Sequence, residues 1–114
     1  MYAVVNHMKL SKPLDDGIIG RMNSELMSNI AEMPGVADAL CVQVADDGIV
    51  VIVICESAEA LERVHQEVGS PWVGKNLVPY LASTDRKVGP VIARVRGAGG
   101  LSSDVVTGAV TTGK

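Results

Sequence analysis

The chain has 114 residues, 47% of them hydrophobic and 20% charged, which places it with single globular domains rather than disordered chains. A net charge of −3 without any basic stripe argues against a nucleic-acid partner, and no apolar run reaches the length of a bilayer span. The first residues are strand-like, so no signal peptide is expected. Cys41 and Cys55 have neither CxxC spacing nor a His cluster beside them, so the expectation is a cytoplasmic protein with reduced thiols and no metal site.

Residues Tyr2 to Leu10 alternate as a strand, and the even positions Tyr2, Val4, Met8 and Leu10 form the more apolar row. Asn6 interrupts that row. An inward amide needs a partner, since leaving it unpaired costs about 1–3 kcal/mol. Backbone or water is the ordinary partner, and a ligand held by the amide is the functional one. Pro13 stops the strand, Asp15 and Asp16 suit a helix start, and Ile18, Met22, Leu26, Ile30 and Met33 recur at helical spacing. Pro34-Gly35 ends that helix.

Val36 to Ala45 reads as a second strand, and Asp46-Asp47-Gly48 has hairpin-turn chemistry with a Gly free to take positive φ. The hairpin register decides whether Cys41 and Cys55 share a face, and spacing alone leaves both arrangements open. Ile49 to Cys55 holds seven apolar residues, six of them β-branched, with no alternation. Both of its faces must be covered, so it is a central strand. Ser57 is a good N-cap for a second helix carrying Leu61, Val64, His65 and Val68 on one side. Gly69-Ser70-Pro71 is expected to break that helix, Trp72-Val73-Gly74 to restart it, and Pro79 to end or kink it. Val88 to Val95 is expected as the last strand, and because Pro90 cannot donate to a ladder it should either be an edge strand or begin at Val91. Residues 1–96 then form one domain, and 97–114, with five of the twelve glycines, a flexible tail.

The order strand, helix, strand, strand, helix, strand predicts an α+β, ferredoxin-like βαββαβ domain: a four-stranded antiparallel sheet with two helices on one face. The helix-free face would expose a large apolar patch, which monomers rarely leave uncovered. Burying three or four Val/Ile side chains there contributes roughly 5–10 kcal/mol before association costs, so a sheet-to-sheet homodimer is expected.

Glu56-Ser57-Ala58-Glu59-Ala60-Leu61, followed by His65 and Ser70-Pro71, resembles the antibiotic biosynthesis monooxygenase family. Met33-Pro34-Gly35-Val36 is similar to the same group, the dimeric α+β barrels, which also include stress-responsive A/B-barrel proteins and haem-degrading monooxygenases. The resemblance covers about residues 2–95. It implies a pocket between sheet and helices and oxygenation of phenols without a cofactor. Asn6 stands where family members often carry a pocket Asn, while Cys55 replaces the tryptophan usual before the Glu-Ser pair. Where haem-degrading relatives carry a Trp and an axial His, this chain has Val64 and either Asn76 or Leu77, so the resemblance implies no haem-degrading site.

Residues Asn6 and His65 are accordingly the candidate catalytic pair, and Trp72, Asn76, Tyr80 and Arg94 the candidate ligand-binding set, with a small aromatic or quinone-type ligand as partner. His65 has an ordinary reading as a half-exposed helix residue, and Trp72 as a packing anchor. Two function classes stay open: a cofactor-independent monooxygenase, and a non-catalytic dimeric module binding a small hydrophobic ligand or a protein partner. Asn6, His65 and Trp72 clustered around a cavity would favour the first, and a collapsed aliphatic interior the second.

Overall fold

The computed structural model describes residues 1–95 and Gly97. Strands β1 (Tyr2–Leu10), β2 (Val36–Ala45), β3 (Gly48–Cys55) and β4 (Leu81–Pro90) form one antiparallel sheet in the order β2-β3-β1-β4. The apolar third strand is central, as its two-sided hydrophobicity requires. Helix α1 (residues 16–31) runs from Asp16–Arg21 through a π-helical Met22–Met27 to Ser28–Ala31. Helix α2 (residues 58–76) runs from Ala58–Val64 through a π-helical His65–Gly69 to Ser70–Asn76. A short 3₁₀ turn, Val78–Tyr80, then leads into β4. This is the ferredoxin-like α+β architecture.

Caps fix where the helices start. Asp15 Oδ1 accepts from the Ile18 N–H at 2.8 Å, and Ser57 Oγ accepts from the Ala60 N–H at 3.1 Å. Past α1 the chain reverses at Gly35, whose φ of +86° is open to glycine and strained for other residues. A Cβ there would also lie 3.0 Å from Ala60 Cβ, so α2 packs against bare backbone at this point.

Three expectations are corrected. The last strand is Leu81–Pro90 rather than Val88 to Val95. It is an edge strand, the first of the two alternatives, and Pro90 sits at its end opposite Tyr2 without interrupting the ladder. Second, Gly69-Ser70-Pro71 does not break the helix. The wider π turn precedes Pro71, which occupies the first turn of the following α segment, where its missing N–H is tolerated. Third, Gly48 opens β3 and does not take positive φ. A two-residue turn, Asp46-Asp47, joins Ala45 to Gly48, with a bulge between Gln43 and Ala45. Apart from Gly97, the tail expected at 97–114 lies outside the described residues.

The hairpin pairs Cys41 with Val51, and Val51 shares its face with Val53 and Cys55, so both cysteines lie on the helix-covered face. That face carries the core: Val4, Met8, Ile49, Val53 and Cys55 meet Ile18, Met22, Leu26, Ile30, Leu61 and Val64. The opposite face presents Val5, Leu40, Val42, Ile52 and Ile54, and Leu40 and Val42 keep 41% and 40% of their surface exposed.

Candidate functional site

Period-2 alternation on β1 sends Val4, Asn6 and Met8 toward the helices, opposite Val53, Val51 and Ile49 on β3 and Val88, Arg86 and Thr84 on β4. The helices do not close completely over this patch. A cavity of about 300 Å³ remains between sheet and helices, at the lower end of the size range of small-molecule sites. Its walls are mostly aliphatic, with Val53, Leu61, Val64 and Leu77 among them. Among the described residues, five polar ones line it: Asn6, His65, Ser70, Thr84 and Arg86.

Asn6 is the anomaly in that set. Its Oδ1 is buried and has no hydrogen-bond partner among the described residues. The cause lies in the topology: β1 is paired on both sides, so the ladders consume the backbone groups that would otherwise satisfy the amide. An unpaired buried carbonyl of this kind costs about 1–3 kcal/mol, which a ligand with an O–H or N–H donor would remove. Arg86 lies directly across from Asn6 in the β1–β4 register and is half-buried. His65 opens the π-helical turn of α2 and is also half-buried.

The other expected site residues stand elsewhere. Trp72 is buried, and its Nε1 donates to Glu25 Oε1 at 2.9 Å. Glu25 also receives the Arg21 guanidinium at 3.3 Å. Arg21 donates in turn to Asn76 Oδ1, and Asn76 Nδ2 donates to the Trp72 carbonyl at 3.0 Å. The Trp72 hydrogen bond first, and Arg21 second, hold the Glu25 carboxyl below its ordinary pKa. Trp72 and Asn76 thus line a separate groove bordered only by helix residues and join α1 to α2. Tyr80 donates its O–H to Asp15 Oδ2 at 2.9 Å, which raises the Tyr80 pKa, and Lys12 Nζ sits 4.7 Å from its ring centroid. Arg94 is exposed beyond β4, with Nη1 2.8 Å from Met1 Sδ.

The cavity therefore unites Asn6 and His65 from the expected set and adds Thr84 and Arg86, which sequence reasoning missed. Placing β4 seven residues too late hid the alternation that turns both inward. Among the described residues, no group of three or more His, Cys, Asp or Glu could hold a metal ion. Nor is any helix there long and apolar enough to cross a membrane.

No family model matches the sequence, and no curated protein matches it. Solved structures do. SnoaB, a cofactor-independent oxygenase from Streptomyces nogalater, is 12% identical with a TM-score of 0.66, over 82% of this chain and 95% of that one. A mutant of MhuD with two manganese protoporphyrin IX bound per active site is 15% identical with a TM-score of 0.62, over 85% of this chain and all (100%) of that one. A Bacillus cereus protein whose name places it with the antibiotic biosynthesis monooxygenases is 18% identical with a TM-score of 0.56, over 84% and 97%. The chain has the fold of antibiotic biosynthesis monooxygenase-like proteins along most of its length.

Proposed function

We propose that this chain binds a small phenol- or quinone-type aromatic molecule in the cavity between sheet and helices and oxygenates it without a cofactor, working as a homodimer. The observation that carries the reading is Asn6 on the wall of a mostly aliphatic cavity, its Oδ1 buried and unpartnered among the described residues. Likeness in fold to a cofactor-independent oxygenase supports it. The apolar face with Leu40, Val42 and Ile52 supports the sheet-to-sheet dimer, and two free cysteines, one of them buried, suit a reducing cytoplasm.

The chemistry needs a base, a positive group and exclusion of water. For a ring CH2 conjugated with a phenol, one proton moves to the His65 imidazole, and the resulting carbanion gives electrons to O2 as a C–O bond forms. His65 returns the proton to the peroxide. Loss of water, carrying the second hydrogen of that carbon, leaves a carbonyl, so CH2 plus O2 gives C=O plus H2O. Arg86 faces the developing negative charge from within an apolar site, where a fixed cation acts more strongly than in water.

Oxygen uptake over a panel of phenols, hydroquinones and ring ketones, with calorimetric binding in parallel, tests the reading. Asn6→Ala should weaken binding by about 0.5–1.5 kcal/mol. His65→Ala should abolish turnover and leave binding in place. A panel with neither binding nor uptake overturns the proposal. Binding without uptake favours the non-catalytic module instead, a reading that the absence of Trp72 from the cavity supports.

A further inference from the structure

We propose that the cavity is built for an aryl carboxylate that also bears a hydroxyl group, with the carboxylate on the Arg86 guanidinium and the hydroxyl donating to Asn6 Oδ1. The inference rests on the cavity as the ligand site and names the class of molecule that it takes. It does not depend on the oxygenation step.

The charge pattern of the cavity points to an anion. The chain as a whole has 13 acidic and 10 basic residues. Among the described residues lining the cavity there is no Asp or Glu, and Arg86 is the one permanently charged side chain. Among the described residues the ion pairs are Lys9 with Asp47, Arg21 with Glu25, and Lys87 with Asp85. Arg86 takes part in none. Its strand neighbours Asp85 and Lys87 pair with each other at 3.2 Å and, by alternation, point to the opposite face of the sheet. Arg86 is half-buried beside aliphatic walls, its nearest strand acid is turned away, and its charge is unmatched among the described residues. It would be neutralised by whatever fills the space beside it.

Carboxylate fits better than phenolate. Arginine presents parallel N–H donors that match the two oxygens of a carboxylate, while a phenolate offers one. A carboxylic acid is already ionised at neutral pH, whereas a phenol with a pKa near that of Tyr, about 10, is not. A carboxylate alone, however, carries no donor and would leave Asn6 Oδ1 unpaired. Asn6 and Arg86 are direct cross-strand partners, with Cβ atoms of such pairs about 4.5–5.5 Å apart. One molecule can therefore meet both groups along one edge. Its ring would lie against Val53, Leu61, Val64 and Leu77.

The test is calorimetry on the full chain with a hydroxynaphthoate, its carboxamide, and the naphthoate lacking the hydroxyl. The carboxylate should bind at least about tenfold more tightly than the carboxamide, as expected of a charge-assisted contact. Arg86→Gln should remove that preference, and Arg86→Lys should keep part of it. Asn6→Ala should erase the difference between the hydroxylated and unhydroxylated acids. Circular dichroism melts check that each variant is folded. Equal binding of acid and amide by the unmodified protein overturns the proposal, as does a preference that survives Arg86→Gln. Neutral phenols that bind and consume oxygen while the acids do not bind overturn it too, and leave the oxygenase reading standing. Acids that bind with the expected Arg86 dependence but consume no oxygen uphold it and remove the oxygenase reading. Failure of every compound to bind overturns both.

Discussion

Gly74 gives a test of the cavity that needs no knowledge of the ligand. It lies inside the helical segment Ser70–Asn76, lines the cavity, and is itself exposed, which puts it at the mouth. A Cβ added there would meet nothing within 4 Å, and its φ lies outside the left-handed region. Gly74→Ala therefore gains helix propensity without a clash. The gain is about 0.5–1 kcal/mol, less than the full interior value because Gly74 is in the last turn. For a domain of this size that raises the thermal midpoint by roughly 2–8 °C, read by circular dichroism. Ligand affinity should not change, since a methyl group leaves the mouth open. Gly74→Leu narrows the same opening and should weaken any cavity ligand by about 1–3 kcal/mol, the usual scale of overpacking. A lower midpoint for Gly74→Ala would refute the open space at its Cβ. Undiminished binding in Gly74→Leu would refute entry beside Gly74.

The faces of β3 predict opposite outcomes for neighbouring substitutions. Val53→Asp places a charge in the helix-covered core, where Val53 is 3% exposed, and should destabilise the fold by about 3–5 kcal/mol. Ile52→Asp faces the other way and should leave a folded monomer by light scattering; a monomer mass for the unmodified protein would refute the dimer. The Cys41 thiol is pushed up to about 11 by burial, so at pH 8 it should react with iodoacetamide roughly 100-fold more slowly than a thiol with the reference value of 9.0. Fast labelling of Cys41 in the native protein would contradict its position against Val51. The Asp15 carboxyl is held below 3.8, first by the Ile18 N–H and then by Tyr80. Its contribution is present above that value and lost as pH falls through the lowered one. The stability gap between the native chain and Asp15→Asn should thus shrink below pH 3.8, and a gap constant from pH 7 to about pH 2.5 would refute the cap.

The parts of the fold that could be read in the sequence are those where burial dictates residue type. Ile49 to Cys55 is apolar on both sides because helices cover one face and neighbouring hydrophobic side chains crowd the other; even on the uncovered face Val50 is only 6% exposed. Ser57 and Asp15 are legible as caps because a single side-chain oxygen does the work locally. β4 was not legible for the opposite reason. Its residues Ser83 to Lys87 are polar, and an edge strand can be polar because it is held by one ladder, here to β1. The apolar run from Val88 onward looked more like a strand, yet Ile92 and Val95 are 93% and 90% exposed. The uninterrupted α2 was hidden because a π turn ahead of Pro71 is a backbone adjustment with no residue signature of its own.

The site divides along the same line. Asn6 was visible because it breaks a row of hydrophobic residues on a strand whose partners are local in pattern, and the structure leaves its oxygen unpaired. Arg86 could not be seen, since its inward direction depends on a register between strands some 80 residues apart in sequence, Asn6 opposite Arg86. Trp72 misled for a physical reason as well: an indole N–H in a helix-rich core takes the nearest acceptor, and Glu25 lies across the helix pair at 2.9 Å. The indole ties the two helices together instead of facing the cavity. The cavity's polarity then comes from the sheet, where Asn6 and Arg86 are set by two ladders, and only His65 and Ser70 are contributed by the helical layer. A ligand in this space would be oriented by rigid strands and covered by helices that carry π turns, the element type in which helical backbone most often adjusts at functional sites.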